Sequence, residues 1–196
     1  MGINNAIEDL ISLKVHKRRR VWEPFMRKYG CDVIAEVGVD EGRNFRLMIA
    51  HNPKIAVAVD AWVNDGVVAR NVPKRDGALS QEKLEEQYEG FKKSIEDKPF
   101  VKIVREYTTE AVKKFEDNYF DLIYIDADHT YLAALQDIRD WFPKVKSGKF
   151  LIGDDYREAD FRGVKFGVIQ AVNEFAKENN LIIHELPLYG WAIIKP

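Results

Sequence analysis

Two stretches of this chain end in acids placed where chemistry could use them. Ile125-Asp126-Ala127-Asp128-His129 closes the apolar run Phe120-Asp121-Leu122-Ile123-Tyr124, and Asp154-Asp155 closes Gly148-Lys149-Phe150-Leu151-Ile152-Gly153. Both runs are short, apolar and rich in β-formers, so each reads as a buried strand. In an open parallel sheet, ligands bind beyond the carboxyl ends of the strands. If these two strands are neighbours, ~5 Å apart, three or four carboxylates crowd one rim. Such crowding is unfavourable unless positive charge sits among the acids. A hard divalent cation is the simplest candidate.

A second group of residues suits a cofactor. Glu36-Val37-Gly38-Val39-Asp40-Glu41-Gly42 lies between a strand and its helix, where glycines let the backbone approach a ligand closely. Asp60 ends the next strand and is placed to accept hydrogen bonds from two ribose hydroxyls. NAD enzymes share this layout, but their G-x-G-x-x-G fingerprint is broken here by Asp40. Asp40 and Glu41 would also repel a pyrophosphate. S-adenosylmethionine, with an ammonium, a sulfonium, a ribose and no phosphate, matches the loop better. The plainer reading makes Gly38 and Gly42 turn residues and Asp60 a strand-end cap.

The elements that position these groups alternate. Residues 4–14 and 18–29 read as helices, the second interrupted at Pro24 and capped by Gly30. Strands follow at 32–37, 54–60, 101–105, 120–126 and 148–154. Helices are expected over 44–50, from Ser80 to about residue 97, around 111–115 behind a Thr108 or Thr109 cap, over 131–142 and over 166–178. Residues 181–186 and 190–194 read as a closing hairpin. The stretch 61–79, with Gly66, Pro73 and Gly77, reads as a long functional loop in which Arg70, Lys74 and Arg75 could close over an anionic substrate or merely aid solubility.

Bulk composition narrows the function. The chain has 196 residues, 46% hydrophobic and 32% charged, with a net charge of −2, which fits one well-cored soluble domain and predicts no nucleic-acid binding. The basic run His16-Lys17-Arg18-Arg19-Arg20 reads as a solvated helix face, with a phosphate or anionic-partner contact as the lesser alternative. Cys31 is the single cysteine, so disulfide and cysteine-zinc frameworks are excluded, and a buried thiol in a cytoplasmic protein is expected. No apolar stretch is long enough to span a bilayer, and no membrane partner is expected. Met1-Gly2 invites N-myristoylation, but Ala6 stands where that signal needs Ser or Thr.

From about Asp32 to Pro196 the sequence resembles the class I S-adenosylmethionine-dependent methyltransferases. Glu36-x-Gly38-x-x-x-Gly42 is similar to their first motif, Asp60 to their ribose-binding acid, and the closing hairpin to their reversed last strand. The resemblance implies an α/β, Rossmann-like, doubly wound and mostly parallel seven-stranded sheet with an antiparallel last strand. An N-terminal helical arm (1–31) would precede the methyltransferase domain (32–196). Within the superfamily, the acidic clusters resemble the metal-dependent O-methyltransferases of the catechol and caffeoyl-CoA types and the bacterial sugar O-methyltransferases. Asp154-Asp155 is closest to the sugar type.

The resemblance implies metal ligation by Asp126, Asp154 and Asp155. It places Gly38, Gly42, Asn44, Asp60, Thr108 and Asp126 at the cofactor, with Glu36 supporting the loop and Trp62 against adenine or in the core. Catechol-like enzymes carry a lysine base three residues after the first metal ligand, where this chain has His129, and sugar-type enzymes use the acid at the position of Asp128. The base is therefore Asp128 or His129.

Each of these residues also has a plainer reading. Asp128 could cap the helix that begins near Thr130, His129 could be a surface residue of that turn, and Asp155 could be a solvated loop acid. His51 would sit near a helix end and His184 on a packed or edge strand. The expected activity is methyl transfer to a hydroxyl of a small molecule, with a vicinal diol of a sugar or catechol as the natural chelating acceptor. The rivals are a non-catalytic cofactor-binding module and a nucleotide-sugar or NAD-type enzyme. The apolar faces of the arm could pair two copies into a homo-oligomer.

Overall fold

A computed structural model of the protein describes residues 3–63, 79–161 and 164–196. Most of the long loop, with Arg70, Lys74 and Arg75, lies outside the described residues, as do Met1, Gly2 and Gly163. The chain opens with helix α1 (Ile3–Ile11), strands β1 (Val15–His16) and β2 (Arg19–Arg20), and helix α2 (Glu23–Lys28). Then come β3 (Val33–Val37), α3 (Arg43–Met48), β4 (Ile55–Val59), α4 (Gln81–Ser94), β5 (Val101–Val104) and α5 (Thr108–Ala111). The second half runs β6 (Phe120–Ile125), α6 (Tyr131–Trp141), β7 (Val145–Gly153), β8 (Asp160–Phe161), β9 (Val164–Lys165), α7 (Val168–Glu178), β10 (Ile183–Leu186) and β11 (Gly190–Ile194).

Seven strands form one sheet in the order β10-β11-β7-β6-β3-β4-β5. β3, β4, β5, β6 and β7 pair in parallel, and β11 runs antiparallel to both β7 and β10. This is the expected doubly wound α/β sheet with a reversed last strand. Because side chains alternate along a strand, each strand serves both faces. Ile34, Ala56, Leu122, Tyr124 and Ile152 pack on one side with residues of α1 to α4, and Ala35, Val57, Ile123, Ile125 and Leu151 on the other with residues of α5 to α7. Both faces are covered by helices, which is why the parallel strands read as unbroken apolar runs. No helix among the described residues is long and apolar enough to cross a membrane.

The N-terminal region departs from the expected pair of helices. The 18–29 helix is instead a two-residue hairpin followed by the six-residue α2. Val15 pairs with Arg20 and His16 with Arg19, across a turn in which Lys17 and Arg18 take φ of 49° and 62°. Pro24 does not break a helix; it sits in the first turn of α2, where a missing N–H costs nothing. Gly30 does what was expected of it. At φ 58° it ends α2, with Gly30 N–H donating to Arg27 O and Cys31 N–H to Met26 O, the paired bonds of a Schellman motif. Ala6, Leu10, Trp22 and Met26 lie in the same core cluster as the sheet residues, so this region packs as part of the body.

Smaller corrections follow from packing. The first residue of α5 is Thr108, and Tyr107 holds the cap position. The hairpin β8–β9 was not expected. Cys31 is buried, with its thiol pushed up to about 12 by burial. His51 is buried, with Nδ1 2.9 Å from Met48 O and Nε2 2.7 Å from Cys31 O, and so pins the turn after α3 to the entry of β3.

Candidate active site

The sheet changes winding direction between β3 and β6, and a crevice forms there between the loops that follow them. Asp126 N–H donates to Val37 O and Gly38 N–H to Val59 O, which draws the loop after β3 close against the end of β6. Gly38 takes φ 90°, and a Cβ there would lie 2.2 Å from Asp126 O. Only glycine satisfies both demands. Gly42 takes φ 72°, and a Cβ there would run into Phe91. Between them Asp40 is held at φ 51°, in the left-handed region where side chains are disfavoured.

Asp60 explains how Asp40 is held there. Its Oδ2 accepts N–H bonds from Val39 (2.9 Å) and Asp40 (2.8 Å), and its Oδ1 accepts from Trp62 N–H (2.9 Å). The acid expected to take two ribose hydroxyls thus also accepts three N–H bonds from the protein's own backbone, which orders the loop. Trp62 is 1% exposed, stacked 5.7 Å from Phe91, and donates Nε1–H to Asp40 O. It is a core residue and not an adenine platform. The Thr108 hydroxyl donates to the buried Asp137 of α6.

Glu36 and Asn44 form a chain behind the loop. Trp22 Nε1–H donates to Asn44 Oδ1, and Asn44 Nδ2–H donates to Glu36 Oε1, both at 2.9 Å. Asn44 is therefore committed to this support. Glu36 is buried, and its Oε2 has no partner among the described residues. Burial pushes its pKa well above the usual carboxylate range against the Asn44 bond, and Asp126, Asp60 and Asp154 push the same way. The carboxylates gathered at this crevice, Asp40, Asp60 and Asp126 with Glu36 behind them, suit the positive charge of S-adenosylmethionine, so the residues present fit that group. An open cleft of about 560 Å³ lies beyond the ends of β4 and β5, bordered by Ala61, Val63, Arg105, Glu106 and Tyr107.

The two acidic clusters meet as expected. Ile125 registers with Gly153 across β6 and β7, so Asp126 and Asp154 leave adjacent strands at one level. Asp126, Asp128, His129, Asp154 and Trp191 line one small cavity. Much of the positive charge the acids require is supplied by the chain itself. His129 Nδ1 faces Ala127 O at 2.8 Å, while Nε2 lies 2.5 Å from Asp155 Oδ2 and 3.4 Å from Asp126 Oδ1. Burial works against the charged ring, but the Asp126 and Asp155 bonds prevail and hold its pKa at about 10. The ring packs against Phe166.

Asp155, at φ 55°, also bonds Arg157 Nε at 2.7 Å. Burial alone would raise its pKa, and the bond to His129, joined by Arg157, lowers it instead. Asp154 faces Arg20, whose Nη2 is 3.3 Å from Oδ1, and Tyr124, whose hydroxyl donates to Oδ2 at 2.9 Å.

Asp128 stands slightly apart. Its Oδ1 accepts Thr130 N–H at 2.8 Å, a turn that sets up α6. Its Oδ2 has no protein partner among the described residues. Sequence reasoning missed Arg20, Tyr124 and Arg157. Arg20 was hidden in a basic run read as solvated, and only its position, alternating with Arg19 on a strand, hinted that one of the two would point inward.

Asp126, His129 and Asp155 offer one ligand atom each within 4.8 Å of one another, a set that replaces the expected Asp154 with a histidine. Two carboxylates and an imidazole fit a divalent ion, and the nitrogen donor suits Mn2+ or Zn2+ better than Mg2+.

Residues 35–156 match a family model described as a methyltransferase domain. No protein of curated function matches the sequence. Among solved structures, the fold is similar to an O-methyltransferase from Bacillus cereus in complex with S-adenosylhomocysteine (13% identity, TM-score 0.58, 98% of this chain and 90% of that one). It is also similar to a Staphylococcus aureus protein provisionally assigned as a caffeoyl-CoA O-methyltransferase (15%, TM-score 0.64, 100% and 93%). A third likeness is to the O-methyltransferase NovP (14%, TM-score 0.57, 98% and 77%). At these identities the likeness shows a shared fold. A domain model covering more than half of the chain, laid over a sheet of this order, settles the family: the chain belongs to the class I S-adenosylmethionine-dependent methyltransferases.

Proposed function

We propose that the protein transfers a methyl group from S-adenosylmethionine to a hydroxyl oxygen of a small molecule. One observation carries the reading: the glycine loop at Gly38 closes directly onto Asp126, so the cofactor crevice and the acid rim share a wall. The cofactor supplies a methyl group on a positively charged sulfur. The chain's task is to align the acceptor oxygen with it and remove a proton. Asp128 is the residue for the proton. It is a carboxylate on the cavity with one oxygen engaged by Thr130, whereas both ring nitrogens of His129 are already engaged, one by Ala127 O and the other by the Asp126 and Asp155 carboxylates. Asp126, His129 and Asp155 would hold a divalent ion, which when bound would lower the pKa of a coordinated hydroxyl.

Calorimetry tests the reading. S-adenosylhomocysteine should bind and NAD should not, because Asp40 and Glu41 line the loop a pyrophosphate would need. Gly38→Ala should weaken S-adenosylhomocysteine at least tenfold, since its Cβ has no room against the backbone of Asp126. NAD binding in the wild type, or full affinity in the variant, would overturn the assignment.

A further inference from the structure

Resting on that reading of the site, we propose that Arg20 takes the place of a metal ion at Asp154. The acid rim is thereby divided into an ion-pair half (Arg20, Tyr124, Asp154) and a ligand half (Asp126, His129, Asp155). Arg20 is then a positioning residue that fastens the N-terminal hairpin to the active site.

Three observations support this. The guanidinium is 4% exposed and lies within hydrogen-bond reach of four groups from distant parts of the chain. Nη1 donates to the Tyr124 hydroxyl (2.6 Å), and Nη2 donates to Pro187 O (2.9 Å), Leu188 O (3.2 Å) and Asp154 Oδ1 (3.3 Å). The neighbouring backbone is shaped around it. A Cβ on Gly190 would lie 2.3 Å from Nη2, and Leu188 and Tyr189 both take φ of 61°, turning the chain so that two carbonyls face the guanidinium. Finally, Asp154 is already engaged by Arg20, by Tyr124 and by Asp155 N–H at 3.0 Å. A carboxylate so engaged against a buried fixed charge would have to leave it unpaired to bind a second cation, which is strongly unfavourable. Among the described residues Asp126 has no arginine partner, and the arginine on Asp155, Arg157, is a surface side chain rather than a buried fixed charge like Arg20; the shared partner of Asp126 and Asp155 is the His129 ring, itself a metal-ligand type.

The test uses Mn2+ with the full chain, titrated by electron paramagnetic resonance. In the wild type, Asp126→Asn should weaken Mn2+ at least tenfold, while Asp154→Asn should change it less than threefold. Arg20→Met should strengthen Mn2+ binding about tenfold, and adding Asp154→Asn should remove the gain. If the wild type binds no Mn2+, the Arg20→Met pair still decides: a gain that depends on Asp154 supports the proposal and no gain overturns it. The proposal also fails if Asp154→Asn weakens wild-type binding as much as Asp126→Asn does.

Should Arg20→Met not fold, the guanidinium 15N–1H spectrum reads the pair in the wild type. Separate Nη signals for Arg20 that collapse in Asp154→Asn support it, and a single rotationally averaged signal in the wild type overturns it. None of these arms involves the cofactor. Failure of S-adenosylhomocysteine to bind would therefore sink the methyltransferase assignment alone.

Discussion

Asp128→Asn should lower kcat for methyl transfer by about 10²–10⁴-fold, the range for loss of a positioned general base, with the affinity for S-adenosylhomocysteine unchanged. The substitution is close to isosteric. The amide oxygen can still accept the Thr130 N–H bond that precedes α6, so the turn and the helix should survive. What disappears is a carboxylate able to take the acceptor's proton. His129→Gln gives the contrast. It removes the ring lodged between Asp126 and Asp155 and should disturb metal binding and stability as well as rate. If Asp128→Asn keeps kcat within threefold while His129→Gln loses it, the base is the histidine and the assignment to Asp128 is wrong. Steady-state kinetics with a methyl-accepting diol, alongside calorimetry, separates the two outcomes.

The second large effect concerns stability. Asp137 is buried in α6, with the Thr108 hydroxyl as a donor, and burial pushes its pKa up to about 7 against that bond. A folded-state pKa above the unfolded value of about 3.9 means that the native state binds the proton more tightly. The associated stability is fully present below about pH 4 and is lost as pH rises through about 7. Three units correspond to about 4 kcal/mol. Asp137→Asn removes that dependence while retaining an acceptor for Thr108. Its amide N–H groups lack partners, at about 1–3 kcal/mol, so the variant should be about 1–3 kcal/mol more stable than the wild type at pH 8 and no more stable at pH 4–5. Urea midpoints at the two pH values measure this directly. A difference that does not change with pH would show that Asp137 is not a buried ionisable group.

The sequence conveyed the fold well because the fold depends on local signals. β6 and β7 are apolar runs that stop at acids, Ser80 caps α4 through Lys83 N–H, and Gly30 ends α2. Each signal lies within a few residues of what it determines. The meeting of Asp126 and Asp154 was also legible, because strand ends in a parallel sheet share a level.

What was missed depends on distant partners. Four arginines and lysines in a row look alike until one of them meets Asp154, 134 residues away. The turn at Lys17-Arg18 has no glycine or asparagine to announce its positive φ. Asp60 and Thr108 have the right residue types for ligand contacts, but their nearest partners are the protein's own backbone and Asp137. Trp62 could not be placed from sequence because the same indole suits an adenine or a core, and here Phe91 and Tyr88 provide the core.

The grip on Arg20 has a consequence for how the protein matures. Its acceptors come from β6, from the end of β7 and from the turn at Pro187-Leu188, up to 168 residues away along the chain. During synthesis the guanidinium stays hydrated until residue 188 has emerged, because each of these acceptors is made later. A nascent chain that already has its first strands therefore carries an incomplete acid rim.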